Sequence, residues 1–225
     1  MKTGTLFVVA TPIGNLKDIT LRALEVLQSV DVILAEDTRI TRKLLAHYQV
    51  RAPLLRYNEH KPQSAFAKVS AMLCEGQSAA LVSDAGTPGV SDPGGVLVEL
   101  LRKKFPNISI VPVPGPSAAS AALSVAGFPA SHFAFVGYPP LKKKRKSFFD
   151  SLPQIPVTPL VLYESPHRIL KTLAELARVF GSEHEIFIAR EMTKMYEEYF
   201  RGTISEAISR FGEEKARGEF VVIVR

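Results

Sequence analysis

The stretch 79–95 constrains the fold more than any other part of this chain. Ala79-Ala80-Leu81-Val82 is apolar with no helical period, the pattern of a strand covered on both faces. From Ser83 to Gly95 nearly every residue is Gly, Pro, Ser, Thr or Asp, and Val96-Leu97-Val98-Glu99-Leu100-Leu101 then carries apolar residues at helical spacing. Strand, glycine-rich loop and helix in that order is how α/β proteins place ligands at the carboxyl ends of strands. Glycines let the backbone pass close to a ligand and prolines hold it in one shape. Ordinary connections in such units run about 2–6 residues, so a loop this long and stiff points to function.

The same alternation predicts the rest of the first half. Strands are expected at 5–10, 32–35, 54–57 and 108–113, with helices at 19–29 (Asp18 as N-cap), 40–48, 64–75 and 118–126. That is a parallel sheet with helices on both faces. The second half continues with strands at 133–137, 160–163, 185–190, 197–202 and 220–224, and with helices ending at 152 and spanning 169–180 and 204–211. Its hairpin-like neighbours predict a mixed sheet. Gly127-Phe128-Pro129-Ala130 reads as a linker, so the fold class is α/β with two domains, 1–126 and 127–225, and a cleft between them.

Several classes fall away on composition. No apolar run approaches the roughly 20 residues that span a bilayer. The N-terminus offers no signal-peptide core, so a cytoplasmic location is expected. The one cysteine, Cys74, falls on a predicted helix and reads as packing. Net charge is +6, from 28 Lys plus Arg against 22 Asp plus Glu, which favours a polyanionic partner. Lys142, Lys143, Lys144, Arg145 and Lys146 form an unbroken cationic run at a predicted helix start. Cations there oppose the helix macrodipole, and an anionic partner, a phosphate group, would resolve the conflict.

A polar cluster follows every first-half strand: 11–16, 36–39, 57–62, 83–95 and 114–117. In a parallel sheet these loops share one edge and can converge, which favours an enzyme. The second half adds 163–168 and 190–194. The five histidines and Cys74 lack metal-ligand spacing, so no metal is expected. There is no phosphate-cradling Gly-x-x-x-x-Gly-Lys-Ser/Thr loop and no Gly-x-Ser-x-Gly elbow. Pro88 stands where a dinucleotide fingerprint needs its close-approach glycine, which excludes the Rossmann reading.

Six ordered segments carry a family resemblance: 9–16 (Val-Ala-Thr-Pro-Ile-Gly-Asn-Leu), Glu36-Asp37-Thr38-Arg39, 83–89 (Ser-Asp-Ala-Gly-Thr-Pro-Gly), 112–118 (Pro-Val-Pro-Gly-Pro-Ser-Ala), Tyr163-Glu164-Ser165-Pro166-His167-Arg168 and Arg190-Glu191-Met192-Thr193-Lys194. Together they resemble the ribosomal RNA small-subunit methyltransferase I group of the tetrapyrrole methylase superfamily. The resemblance implies S-adenosylmethionine-dependent 2′-O-methylation of a cytidine in the decoding region of 16S ribosomal RNA, within the 30S subunit, by a homodimer of two-domain chains. By position it implies cofactor contacts at Pro12, Ile13, Asp84, Thr87, Pro88, Ser117, Ala118, Tyr163, Glu164 and Met192, the last more often Leu in the family. Many relatives also carry a C-terminal extension; this sequence stops at Arg225, so RNA binding is expected to rely on the core surface and the subunit partner.

S-adenosylmethionine carries an activated methyl, so neither a metal nor a covalent enzyme intermediate is required. The protein must align a ribose hydroxyl and accept or relay its proton. Candidate acceptors are Glu36, Asp37, His60 and Glu191; Arg39, Lys61, Arg168 and Lys194 are candidates for fixing phosphate or polarising the hydroxyl. Each acid's plainer role is an ion pair with one of those cations. Two alternatives remain. One is a methylase for a corrin precursor or a modified histidine (diphthine type), against which Ser83-Asp84-Ala85 stands in place of a Gly-Asp-Pro loop. The other is a cofactor-sensing RNA-binding module without turnover.

Overall fold

The computed structural model describes residues 3–57, 62–212 and 217–225, without the side chains of 62–65. His60 and Lys61 lie outside the described residues. The chain divides into two compact units, Met1–Ser117 and Ala118–Arg225.

The first unit holds β1 (Thr5–Val9), β2 (Val32–Ala35), β3 (Leu54–Arg56), β4 (Ala79–Val82) and β5 (Ser109–Val113), in the order β3-β2-β4-β1-β5 with every pairing parallel. β2 and β4 are buried along their whole length, as their continuous apolar runs require. The helices are α1 (Leu21–Ser29), α2 (Thr38–His47), α3 (Pro62–Cys74) and α4 (Gly94–Lys104). Alternate strand residues feed two cores. Leu6, Leu34 and Leu81 pack with Val69 and Leu73 of α3 and Leu97 and Leu101 of α4. Val9, Ile33, Ala80 and Val82 pack with Ala23 and Leu27 of α1 and Leu45 of α2. Each fully buried Leu contributes roughly 1.5–3 kcal/mol. From the central pair, the chain leaves β1 by α1 toward β2 and leaves β4 by α4 toward β5, on opposite faces. That divergence opens a crevice at the carboxyl ends of β1 and β4, where such sheets bind ligands.

The second unit holds α5 (Ala118–Ala126), β6 (Ala134–Gly137), α6 (Arg145–Ser151), β7 (Leu160–Glu164), α7 (Ile169–Phe180), β8 (Glu185–Arg190), β9 (Glu198–Thr203), α8 (Ile204–Gly212) and β10 (Phe220–Val224). Sheet order is β6-β7-β10-β8-β9, parallel only between β6 and β7, hence mixed. One face buries Leu162, Ile188 and Val222 against Leu173 and Leu176 of α7 and Phe211 of α8. The other face takes α5, which packs on β8 and β10 with Ala119, Ala122, Leu123 and Ala126 buried. Its small side chains allow close approach to the sheet.

Some expectations differ from the structure. Residues 118–126 go with the second unit, because α5 buries its alanine face on the second sheet. Phe128, expected in a linker, is buried with the Arg201 guanidinium 4.8 Å from its ring centre. Thr20, not Asp18, caps α1, accepting the Ala23 amide at 3.1 Å; Asp18 closes a short 3₁₀ turn, Leu16–Asp18. Cys74 is exposed on the last residue of α3, whose inward positions are taken by Val69 and Leu73. Within the basic run, the helix starts only at Arg145, so Lys142, Lys143 and Lys144 precede it in a turn.

Candidate active site

At the carboxyl edge of the first sheet four loops are tied together, mostly through their backbones. Thr11, after β1, exchanges both backbone hydrogen bonds with Gly86, after β4, at 2.9 and 3.0 Å. The Thr11 hydroxyl donates to the Ser83 carbonyl at 3.2 Å, and Thr87 Oγ1 donates to the Pro116 carbonyl, after β5, at 3.1 Å. Asp84 Oδ1 accepts the amide of Asp37, after β2, at 3.1 Å. Asp92 Oδ1 accepts the amides of Gly89 and Gly94, folding the long loop onto the start of α4. Gly86 has φ +78° beside the Ile13 side chain, and a Cβ at Gly115 would stand 3.0 Å from that of Ala10. Only glycine permits both close passages. Pro12 and Pro88 are buried, while Ile13, Asp84 and Thr87 are half-buried around the same crevice.

The two aspartates of this edge have opposite electrostatics. Asp37 caps α2 through the Arg39 amide at 2.8 Å and holds the Arg39 guanidinium through both oxygens, so its carboxyl lies well below the usual carboxylate range. Asp84 is shifted upward, because burial penalises its charge more than the Asp37 amide relieves it. A partly desolvated carboxylate on a loop edge that also carries Pro12, Ile13 and Pro88 suits a cationic, partly apolar ligand such as S-adenosylmethionine. The residues present fit that cofactor. A separate apolar groove of about 740 Å³ runs between α3 and α4, lined by Phe66, Ser70, Cys74, Leu100, Lys104 and Phe105 among others. Its lining includes none of the expected site residues.

In the second unit the segment after β7 turns inward. Glu164 is fully buried. One oxygen takes the Ser165 amide at 2.7 Å and Arg168 Nη2 at 2.7 Å; the other takes the Thr172 hydroxyl at 2.5 Å and lies 4.0 Å from Arg145 Nη1. Arg145 Nη2 in turn donates to Thr172 Oγ1 at 2.8 Å. Three sequence expectations change here. The Glu164 side chain cannot meet a cofactor, since its carboxylate is enclosed and its oxygens are engaged. Arg145 is 4% exposed and packs its guanidinium over Phe149, so it is no RNA contact. Arg168 directs its donors to Glu164, Ser165 and the Pro139 carbonyl. Lys142, Lys143, Lys144 and Lys146 are exposed. Tyr163 is half-buried, with its hydroxyl accepting the Ala119 amide of α5 at 3.2 Å and its ring edge-on to Phe135 and Tyr138.

The segment after β8 is pinned from several sides. Glu191 and Thr193 have φ of +49° and +65°, a conformation that non-glycine residues keep only where surroundings hold them. Lys194 Nζ binds Glu191 at 2.8 Å and Glu219 at 2.9 Å, while Glu191 Oε1 also takes the Glu219 amide at 2.9 Å. Burial opposes both charges, yet these contacts hold Glu191 below and Lys194 above its ordinary pKa. Gly218 passes so close that a Cβ there would meet Glu191 Cγ at 2.2 Å. Met192 is buried within this loop. Sequence reading placed Thr11 in a polar cluster without giving it a role, and missed Thr172, Gly218 and Glu219. Thr172 had a signal: with Ile169, Leu173 and Leu176 it occupies a core position of the α7 stripe, where a hydroxyl needs a buried partner. Among the described residues no group of His, Cys, Asp and Glu is placed to hold a metal, and no helix is long and apolar enough to cross a membrane.

Similarity to known proteins identifies the family. The family model for tetrapyrrole (corrin/porphyrin) methylases matches residues 5–208. Over 221 residues the chain is 47% identical to a Thermotoga maritima protein named ribosomal RNA small subunit methyltransferase I, covering 98% of each. Proteins of the same name from Bacillus subtilis and Escherichia coli O157:H7 are each 45% identical, with 98% of this chain matched to 75% and 77% of theirs. Among solved structures, a uroporphyrin-III-C-methyltransferase from Thermus thermophilus shares the fold at a TM-score of 0.69 and 24% identity, covering 98% of this chain and 94% of that one. The cobalt precorrin-4 methyltransferase CbiF does so at 0.69 and 19%, with the same coverage. The chain belongs to the ribosomal RNA small subunit methyltransferase I family of the tetrapyrrole methylases.

Proposed function

We propose that this protein transfers a methyl group from S-adenosylmethionine to the 2′-hydroxyl of a cytidine in the decoding region of 16S ribosomal RNA. The carrying observation is the woven loop edge of the first unit, with the half-buried Asp84 at its centre. The cofactor supplies an activated methyl on a positive sulfur, and the protein's residues bind, orient and manage one proton. Pro12, Ile13, Thr87, Pro88 and Ser117 supply apolar and small surroundings, and Asp84 supplies the counter-charge. Ala118, Tyr163 and Met192 are further cofactor residues in this reading, to be tested by their individual effects on cofactor affinity.

Methyl transfer to a ribose oxygen would release the hydroxyl proton, which a side chain of the protein has to accept or relay. Asp37 and Glu191 are weak bases because Arg39 and Lys194 hold their charges. In this reading both acids position those cations, which face phosphate or the ribose oxygen. Glu36 and His60 stay candidates for accepting the proton, to be separated by the methyl-transfer rates of Glu36→Gln and His60→Ala. The exposed lysines of 142–146 contact RNA phosphates. The protein works in the cytoplasm as a homodimer, on RNA assembled in the 30S subunit.

The test is to incubate 16S RNA, naked and as 30S subunits, with protein and labelled cofactor, and to map 2′-O-methyl groups. One new methyl on a cytidine ribose of the decoding region is expected, with higher yield on 30S. Transfer to a base, to a corrin precursor, or to nothing would replace this reading. Light scattering at micromolar concentration checks the dimer.

A further inference from the structure

We propose that the Glu164–Thr172–Arg145–Arg168 network is a strut assembly that sets the position of the cationic arm at 142–146, making Thr172 and the two arginines positioning residues for RNA binding. The inference rests on the reading of that arm as a phosphate-binding surface.

The network's placement makes the case. The arm follows Pro139-Pro140, and prolines have no amide hydrogen, so these two residues can make backbone hydrogen bonds only through their carbonyls. Both carbonyls are held: Pro139 accepts Arg168 Nη1 at 2.9 Å, and Pro140 accepts Arg145 Nη1 at 3.3 Å. Both arginines converge on Glu164, one by a 2.7 Å ion pair and the other through the Thr172 hydroxyl and a 4.0 Å approach. The turn that precedes the arm is thus tied at two consecutive residues to one buried carboxylate. On the arm, Lys144 is held at φ +67°, with its carbonyl accepting the Phe148 amide at 2.9 Å and the Ser147 hydroxyl at 2.9 Å.

Stability does not account for the arrangement. A buried Arg–Glu–Arg cluster is generally no more stabilising than apolar residues of the same volume. Here Arg145 Nε is buried without a hydrogen-bond partner among the described residues, a further cost. The cluster instead fixes geometry. Three exposed lysines on a tethered turn, with Lys146 on the helix that follows, lose less freedom on meeting a phosphate backbone than the same lysines on a mobile segment.

The test measures binding of transcribed 16S RNA as a function of salt, with steady-state methylation alongside. A Lys142→Ala/Lys143→Ala/Lys144→Ala variant should flatten the slope of log K against log salt by about 2–3, since each lost phosphate contact removes roughly 0.7–0.9. Thr172→Val and Arg168→Lys leave net charge unchanged, so charge loss cannot explain any change in their slopes. Each should flatten the slope by about 1 and raise KM for RNA about tenfold, with a smaller fall in kcat. Thr172→Ser should restore both values. Arg168→Lys keeps the ion pair while losing the reach to Pro139, and it decides the matter if Thr172→Val does not fold. A folded Thr172→Val or Arg168→Lys with wild-type slope and KM overturns the strut proposal alone. A lysine variant with unchanged slope overturns it together with the RNA reading of the arm.

Discussion

The loop edge of the first unit and the charged clusters of the second are built on opposite plans. Along the first edge, Thr11, Ser83, Gly86, Thr87 and Pro116 are joined through backbone and hydroxyl groups, and Asp84 is left desolvated with one amide for company. In the second unit Glu164 and Glu191 are each surrounded by donors and matched by arginine or lysine. A carboxylate neutralised inside its own fold holds backbone in place. One whose burial is under-compensated is arranged for something else to neutralise it. In the proposed reading the contrast separates scaffold acids from a ligand acid within one chain.

The contrast can be broken by variants that should separate stability from binding. Glu164→Ala strands two arginines in the interior, and breaking such a cluster costs about 3–5 kcal/mol. Urea denaturation should show that loss; a change below about 1 kcal/mol would remove the scaffold role. Gly218→Ala combines a positive φ with a clash against Glu191 and should cost roughly 1–3 kcal/mol, read as a lowered Tm. Wild-type stability would mean the loop is not pinned as described. Losing the cap in Thr20→Ala should cost only about 1 kcal/mol and leave cofactor and RNA binding alone.

Acid titration sharpens the same contrast through opposite signs. Glu191 has a folded pKa below its unfolded one, so its stabilisation is present above the ordinary glutamate range and lost as pH falls through the folded value. Asp84 has a folded pKa above its unfolded one, so its ionised form costs stability at neutral pH and that cost disappears on acidification. Glu191→Gln should therefore lower Tm at pH 7 and converge on wild type in acid. Asp84→Asn should match or slightly exceed wild type at pH 7 and converge from above. Thermal melts from pH 7 down to pH 4 check both.

Periodicity carried the architecture further than it carried the side chains. Continuous apolar runs at β2 and β4 announced a sheet covered on both faces, and the hairpin spacing of β8 and β9 announced a mixed second sheet. The stripes of α5 and α7 gave the observed helix bounds. Which sheet α5 covers was not legible, because an alanine-rich face fits either, and the Phe128–Arg201 contact that commits it lies far apart in sequence. Arg145 sits among four lysines that look alike in sequence; only the fold brings it to Thr172, twenty-seven positions away. Glu164 ends the buried strand β7 and Asp84 lies just past the buried strand β4, and nothing local says that one meets two arginines and the other a backbone amide. At α1, Asp18 and Thr20 are both good caps, and the 3₁₀ turn took the first.

The ligand role of Asp84 is most directly tested by calorimetric titration of S-adenosylmethionine into wild-type, Asp84→Asn and Thr172→Val proteins at pH 7. Asp84→Asn keeps an oxygen for the Asp37 amide and removes only the charge, so cofactor affinity should fall at least tenfold in a protein as stable as wild type, while Thr172→Val binds cofactor normally. Unchanged affinity in Asp84→Asn would contradict the assignment and move the cofactor away from this edge.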